Sequence, residues 1–180
     1  MTSLARFIDA IHKPGWPVAL MGAMALAAWG VVRATADIDW LVGAPTSRAF
    51  ADWAETLAQQ GFAVQHRPSA VGDPLGDVIE ATGDDFECQC IMATHAHEWR
   101  ALDRAKPYRF LGTAVSVITI EDLMLLKCYA GGPQDWEDIR RLLERHRGGL
   151  DVPYLRGCLA DPALRDCSAD LVRLLGLDAP

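Results

Sequence analysis

No stretch of this chain is long and apolar enough to span a bilayer. The nearest, Val18 to Val32, runs fifteen residues and is followed at once by Arg33 and Asp37, whereas a helix needs roughly 20 apolar residues to cross the hydrocarbon. A buried strand running into a helix accounts for it better, and no membrane partner is expected. An excess of positive charge is also missing. With 17 Lys and Arg against 24 Asp and Glu, the chain carries a formal charge of −7, which argues against unspecific, charge-driven binding to nucleic acid while leaving room for a local basic groove. The five cysteines lack the even count and short spacing of a disulfide-stapled secreted domain, so reduced thiols in a cytoplasmic protein are expected. No repeat or low-complexity segment interrupts the 180 residues, and at 51% hydrophobic they can bury a sizeable core.

What is present centres on Asp37-Ile38-Asp39, fifteen residues after Gly22. Val18 to Met21 is apolar, bounded upstream by Pro14, Gly15 and Pro17, and reads as a short buried strand stopping at Gly22. Ala23 to Trp29 suits a helix. Ala36 to Val42 alternates before turning apolar, so it reads as a second strand with both carboxylates on one face, roughly 7 Å apart because side chains repeat every second residue. Two acids so placed suit one or two hard divalent cations, which prefer oxygen ligands and bridge to phosphates. A glycine at the strand-to-helix junction permits close backbone approach, and free amides at a helix start favour an anion.

Elsewhere, Leu4 to His12 reads as an amphipathic helix, and Thr46 opens another through Gln60, with Phe50, Trp53, Ala54 and Leu57 at helical spacing. Phe62 to His66, Asp77 to Thr82 and Phe86 to Ala93 read as strands, with turns at Gly72 to Gly76 and Gly83-Asp84. His97 to Arg104 suits a helix, followed by short strands near Tyr108 to Leu111 and Ala114 to Ile118. Thr119 with Asp122 resembles a capping box opening a helix that meets another at Gly131-Gly132-Pro133. Val152 to Leu175 holds two helices, the second capped by Asp161 and begun at Pro162. The expected class is α/β (α+β), a mixed sheet flanked by helices, divided into a core at residues 1–118 and a C-terminal helical region at 119–180.

The order strand, glycine turn, helix, Arg33-x-Thr35 and Asp37-x-Asp39 strand resembles the opening motif of the nucleotidyltransferase superfamily, which places Gly-Gly or Gly-Ser ahead of an Asp-x-Asp strand. This chain departs from it with Gly22-Ala23, so backbone amides remain but the serine hydroxyl of some relatives does not. Glu121-Asp122-Leu123, four residues, Lys127, a small-residue turn, then Asp135-x-x-Asp138-Ile139 is similar to the distal block of the bacterial group of AbiEii-type toxins and their relatives. The resemblance covers roughly residues 18 to 143 on motif spacing. It implies a nucleotidyltransferase-like fold and transfer of a nucleoside monophosphate from a nucleoside triphosphate to an acceptor hydroxyl with Mg2+ or Mn2+.

The resemblance also implies roles. Asp37 and Asp39 would hold the metal, the Gly22 and Ala23 amides the phosphates, and Lys127 a phosphate or pyrophosphate, while Arg33 and Thr35 shape the loop and reach the nucleotide. Asp135 and Asp138 would orient basic partners or cap structure. A third carboxylate on a neighbouring strand would complete the metal shell or take the acceptor's proton. The family's register allows either Glu87 or Gln89 there, and Glu87 is preferred because glutamine is neither a base nor a charged ligand. The acceptor, whether RNA, protein or small molecule, is open. Two other classes compete: a non-catalytic nucleotide- or partner-binding module, for instance one holding an antitoxin-like protein, and a metal-dependent phosphohydrolase.

Other patterns have plainer readings. Cys88-x-Cys90 and His95-x-His97 lack the usual zinc spacings and suit two buried thiols and two surface histidines. Arg100, Arg104, Lys106 and Arg109 form one basic cluster, and Arg140, Arg141, Arg145, His146 and Arg147 another. Glu137, three and four residues before Arg140 and Arg141, suggests a solvated helix face with local ion pairs.

Overall fold

In the computed structural model, which describes residues 2–35, 37–70 and 75–177, seven strands form one mixed sheet flanked by helices. The chain runs α1 (Ser3–His12), β1 (Val18–Leu20), α2 (Gly22–Ala28), β2 (Asp37–Val42), α3 (Ser47–Gln59), β3 (Ala63–Arg67), β4 (Val78–Gly83), β5 (Phe86–Met92), α4 (Ala96–Arg104), β6 (Lys106–Phe110), β7 (Thr113–Val117), α5 (Ile120–Ala130), α6 (Pro133–His146), α7 (Val152–Leu159) and α8 (Arg165–Leu175). The sheet order is β3-β4-β5-β2-β1-β7-β6. β2 lies between β5, parallel to it, and β1, antiparallel to it. The carboxylates of β2 therefore sit in the middle of the sheet, with a strand on each side to hold their register.

Even-numbered residues of β2 and β5 face α1 and α3. Trp40 and Cys90 are fully buried, and Phe7 of α1 packs on Phe86 at 4.9 Å and on Phe62 at 5.3 Å between ring centroids. Phe50 and Trp53 of α3 close the same layer. The odd-numbered face is where the carboxylates stand, with α2 and α5 beside them. Helix ends follow local chemistry: Thr46 caps α3 through the Ala49 N–H, Thr119 caps α5 through the Asp122 N–H, and Gly131 ends α5 at φ +68°.

Three features depart from the sequence reading. Pro162 opens a 3-10 turn, Pro162–Leu164, and α8 starts only at Arg165. His97 is 2% exposed, not on the surface. Cys128 of α5 and Cys167 of α8 are joined as a disulfide, so the expectation of reduced thiols holds for Cys88, Cys90 and Cys158 alone. Residues 36 and 72–74, parts of the expected strand and turn, lie outside the described residues. Among the described residues no helix is long and apolar enough to cross a membrane.

Candidate active site

The parallel register of β2 with β5 sets Asp37 opposite Glu87 and Asp39 opposite Gln89. Residues paired in this way share a face, so all four side chains project from the same side. Like charges directly opposite one another are unfavourable, and Asp37 and Glu87 are such a pair. On the far side of Gln89, the β4 register adds Glu80 to the row; the sequence reading did not place it there, because the register of a hairpin is set by its turn.

Asp39 packs on the start of α2. Its carbonyl accepts from the Met21 N–H at 2.9 Å. Gly22 has φ +58°, and a Cβ there would stand 2.8 Å from the Asp39 Cγ. Both the left-handed backbone and the close approach require glycine. Met21, the N-cap of α2, makes no side-chain cap, which leaves the helix's first amides to other partners. Burial and the neighbouring Asp37 raise the Asp39 carboxyl from its ordinary 3.8 to about 6, against the pull of Lys127 and Arg33.

Facing Asp39 is a cavity of about 210 Å³ lined by Met21, Gly22, Arg33, Asp39, Ile91 and Lys127, among others. Leu123, Leu126 and Ala130 of α5 add an apolar wall, and Leu75 and Asp135 complete it. Four sequence-chosen residues, Gly22, Arg33, Asp39 and Lys127, thus meet around one space. Asp37, Glu87, Ala23 and Thr35 do not line it. Ala23 is buried within α2, and the Thr35 hydroxyl donates to the Asp37 carbonyl at 3.3 Å, which shapes the loop entering β2.

In the distal block, Asp135 and Asp138 orient basic partners, and Asp135 also caps α6 through the Gly132 N–H, as the sequence reading expects. Lys127 has its own anions: Nζ lies 2.6 Å from Asp138 Oδ2 and 3.0 Å from Asp135 Oδ1. Asp138, fully buried, also accepts from Arg33 Nε at 3.3 Å and Gln134 Nε2 at 3.1 Å. Lys127, expected to meet a phosphate or pyrophosphate, thus has two carboxylate partners within the fold. The joint at Gly131-Gly132-Pro133 is read from the sequence, but not its consequence: it folds α6 back on α5 and brings residue 127 beside 135 and 138. Asp122 serves as a clasp, accepting from Thr119 Oγ1 at 2.5 Å, Arg104 Nε at 3.1 Å and the Tyr154 hydroxyl. The Arg104 guanidinium lies 3.7 Å from the Tyr154 ring centroid.

Among the described residues, no three His, Cys, Asp or Glu side chains are gathered tightly enough to hold a metal ion as they stand. The donor chemistry nevertheless suits a hard cation, since Asp37, Asp39 and Glu87 offer carboxylate oxygens from one face. Zinc finds no such fit. Cys88 and Cys90 point to the opposite face, and burial pushes the Cys88 thiol up to about 12 and the Cys90 thiol well above its ordinary value.

No protein-family model matches the chain, and no curated protein matches it. Solved structures do resemble it. The solution structure of the antibiotic-resistance factor ANT(2'')-Ia has a TM-score of 0.58 and 21% identity over 94% of this chain and 93% of that one. The crystal structure of ANT(2'')-Ia in complex with adenylyl-2''-tobramycin gives 0.57 and 18% over 86% and 93%. The lincosamide antibiotic adenylyltransferase LnuA, lincomycin-bound, gives 0.50 and 14% over 79% and 96%. The chain thus has a nucleotidyltransferase-like fold.

Proposed function

We propose that the protein is a nucleotidyltransferase that uses Mg2+ or Mn2+ to move a nucleoside monophosphate from a nucleoside triphosphate to an acceptor hydroxyl. The observation that carries this reading is the register placing Asp37, Asp39 and Glu87 on one sheet face, with Asp39 against Gly22 at the mouth of a cavity that also holds Lys127 and Arg33. A bound divalent cation would neutralise the triphosphate and lower the pKa of the attacking hydroxyl. Asp37 and Asp39 would hold it, with Glu87 completing the set or accepting the hydroxyl's proton. Lys127 and Arg33 would face the phosphates, with the Gly22 and Ala23 amides at the helix start. The apolar wall from Leu123, Leu126 and Ala130 offers a surface for the base. Residues 1–118 would form the catalytic core and 119–180 a helical region that supplies Lys127.

An AbiEii-like toxin role, with an antitoxin-like partner, belongs to the same proposal and rests on the distal block's spacing. The names of the neighbours ANT(2'')-Ia and LnuA make small hydroxylated antibiotics the first acceptors to assay, ahead of RNA and protein. Glu87→Gln should retain triphosphate binding and lose transfer by about 100-fold or more, while Gln89→Ala should cost far less. Transfer of labelled nucleotide, scored beside calorimetric binding, checks this; full transfer by Glu87→Gln rules the role out. A second reading, a non-catalytic nucleotide-binding module, is favoured by Gln89 standing opposite Asp39. Binding without transfer in the unaltered protein, with every acceptor class tried, would select it.

A further inference from the structure

Lys127 is held by two carboxylates of unequal kind. Asp138 is fully buried and is bonded by Arg33 and Gln134 as well as Lys127. Removing it from Lys127 would leave a buried charge short of a partner, which is costly. Asp135 keeps a quarter of its side chain exposed and lines the same cavity as Asp39 and Gly22. Its other oxygen, Oδ2, accepts from the Gly132 N–H at 3.2 Å, at the start of α6. Losing Lys127 would leave Asp135 with that helix-capping bond and access to water.

An ammonium is a compact charge with three rotatable donors. Lys127 can therefore exchange one anion for another without its chain moving far. A triphosphate entering the cavity beside Asp39 would bring its own anionic oxygens to the place on Lys127 that Asp135 Oδ1 now fills at 3.0 Å. The two anions would repel if both stayed.

Resting on the nucleotide-binding reading above, we infer that Asp135 is an internal stand-in for a ligand phosphate: it occupies Lys127 in the empty site and is displaced when the triphosphate binds, while Asp138 stays as the fixed anchor. The contact holds the lysine aimed and neutralised until an anion of higher charge replaces it. Affinity for triphosphate is then set by an exchange of partners on one ammonium. Asp135 is a specificity-determining residue whose removal tightens binding.

Inorganic triphosphate with Mg2+, titrated by calorimetry into the full chain, tests this without reference to the base. Asp135→Asn keeps an oxygen for the Gly132 N–H and removes the competing charge, and it should bind about tenfold more tightly. The gain should vanish when Lys127→Met is combined with Asp135→Asn, because the competition runs through that one ammonium. Asp135→Ser, which also caps, and Lys127→Gln replace any variant that melts early. Unchanged or weaker binding in folded Asp135→Asn overturns the inference. So does an equal gain in the Lys127→Met background, which would mark a general loss of negative charge. If neither the unaltered protein nor Asp135→Asn binds triphosphate, the nucleotide reading itself fails along with this inference; binding without tightening sinks the exchange alone.

Discussion

Two charged regions meet at one cavity and are balanced in opposite ways. In the distal block, Asp135 and Asp138 face Lys127, and Arg33 reaches across from the loop before β2, so two acids meet two bases. On the sheet, Asp37, Asp39 and Glu87 share a face, and among the described residues none of the three makes an ion pair. The cost is visible at Asp39, whose carboxyl is raised to about 6 by burial and by Asp37 in spite of Lys127 and Arg33. A satisfied network belongs to the scaffold, and an unsatisfied one of a single sign is poised for a ligand of the opposite sign. On the function proposed above, the Asp-x-Asp strand would be the chemical half of the site, and the distal block the frame that holds Lys127 and Arg33 beside it.

The comparison breaks first at Asp138. If the distal network is scaffold, Asp138→Ala strands Lys127 and Arg33 without their shared buried anion and should destabilise the fold by about 3–5 kcal/mol. Chemical denaturation of the purified chain measures it. A loss below about 1 kcal/mol would mean that the cations relax to solvent and that the network is not the frame proposed here. The same reasoning extends to Lys127→Met. With Asp138 left to Arg33 and Gln134, that variant should lose stability.

The difference between the regions also decides what was legible in the chain. Asp37 and Asp39 are two apart on one strand, a separation that fixes their shared face without any tertiary knowledge. Gly22 was legible for a related reason, since a strand-to-helix turn that must pass close to a neighbour calls for glycine. The match of Glu87 to Asp37 was not, because parallel pairing of β2 with β5 is a long-range register that no local spacing specifies. Lys127 to Asp138 was hidden in the same way. Eleven residues apart on two helices, they meet only because a Gly-Gly-Pro turn reverses the chain. His97 fell to the same limit: the helix was foreseen, but which of its faces is buried is a property of the packing against α5.

The sheet half responds to pH and to cations where the frame does not. A carboxyl raised from 3.8 to about 6 is harder to ionise folded than unfolded, so above pH 6 it subtracts stability, and the penalty fades as pH falls from about 6 towards 4. A displacement of that size corresponds to at most about 3 kcal/mol. Asp39→Asn should therefore raise stability at pH 7 to 8 by up to that amount and give no gain at pH 4. Saturating Mg2+ should stabilise the unaltered chain and leave the variant unmoved, by mass action on the folded state alone. Thermal melts at both pH values, with and without the ion, check both signs; a variant less stable at pH 8 would show that Asp39 is already paired within the fold.

The smallest effect is expected on the outer face of α6, and it isolates burial from charge pairing. Glu137 lies 3.0 Å from Arg141 and 3.8 Å from Arg140, at helical spacings of four and three. By distance these contacts resemble that of Lys127 with Asp135, also 3.0 Å. The surroundings differ: about half of each of the Glu137, Arg140 and Arg141 side chains is open to water, against 7% for Lys127. Water and salt screen the outer pairs, and holding long side chains in one geometry costs entropy, so Glu137→Ala should change stability by less than about 0.5 kcal/mol, and still less in high salt. A loss approaching that of Asp138→Ala would mean that the count of ion pairs along α6, and not their enclosure, secures the helix. The contrast between a framed buried network and a bare acidic sheet face would then rest on the wrong variable.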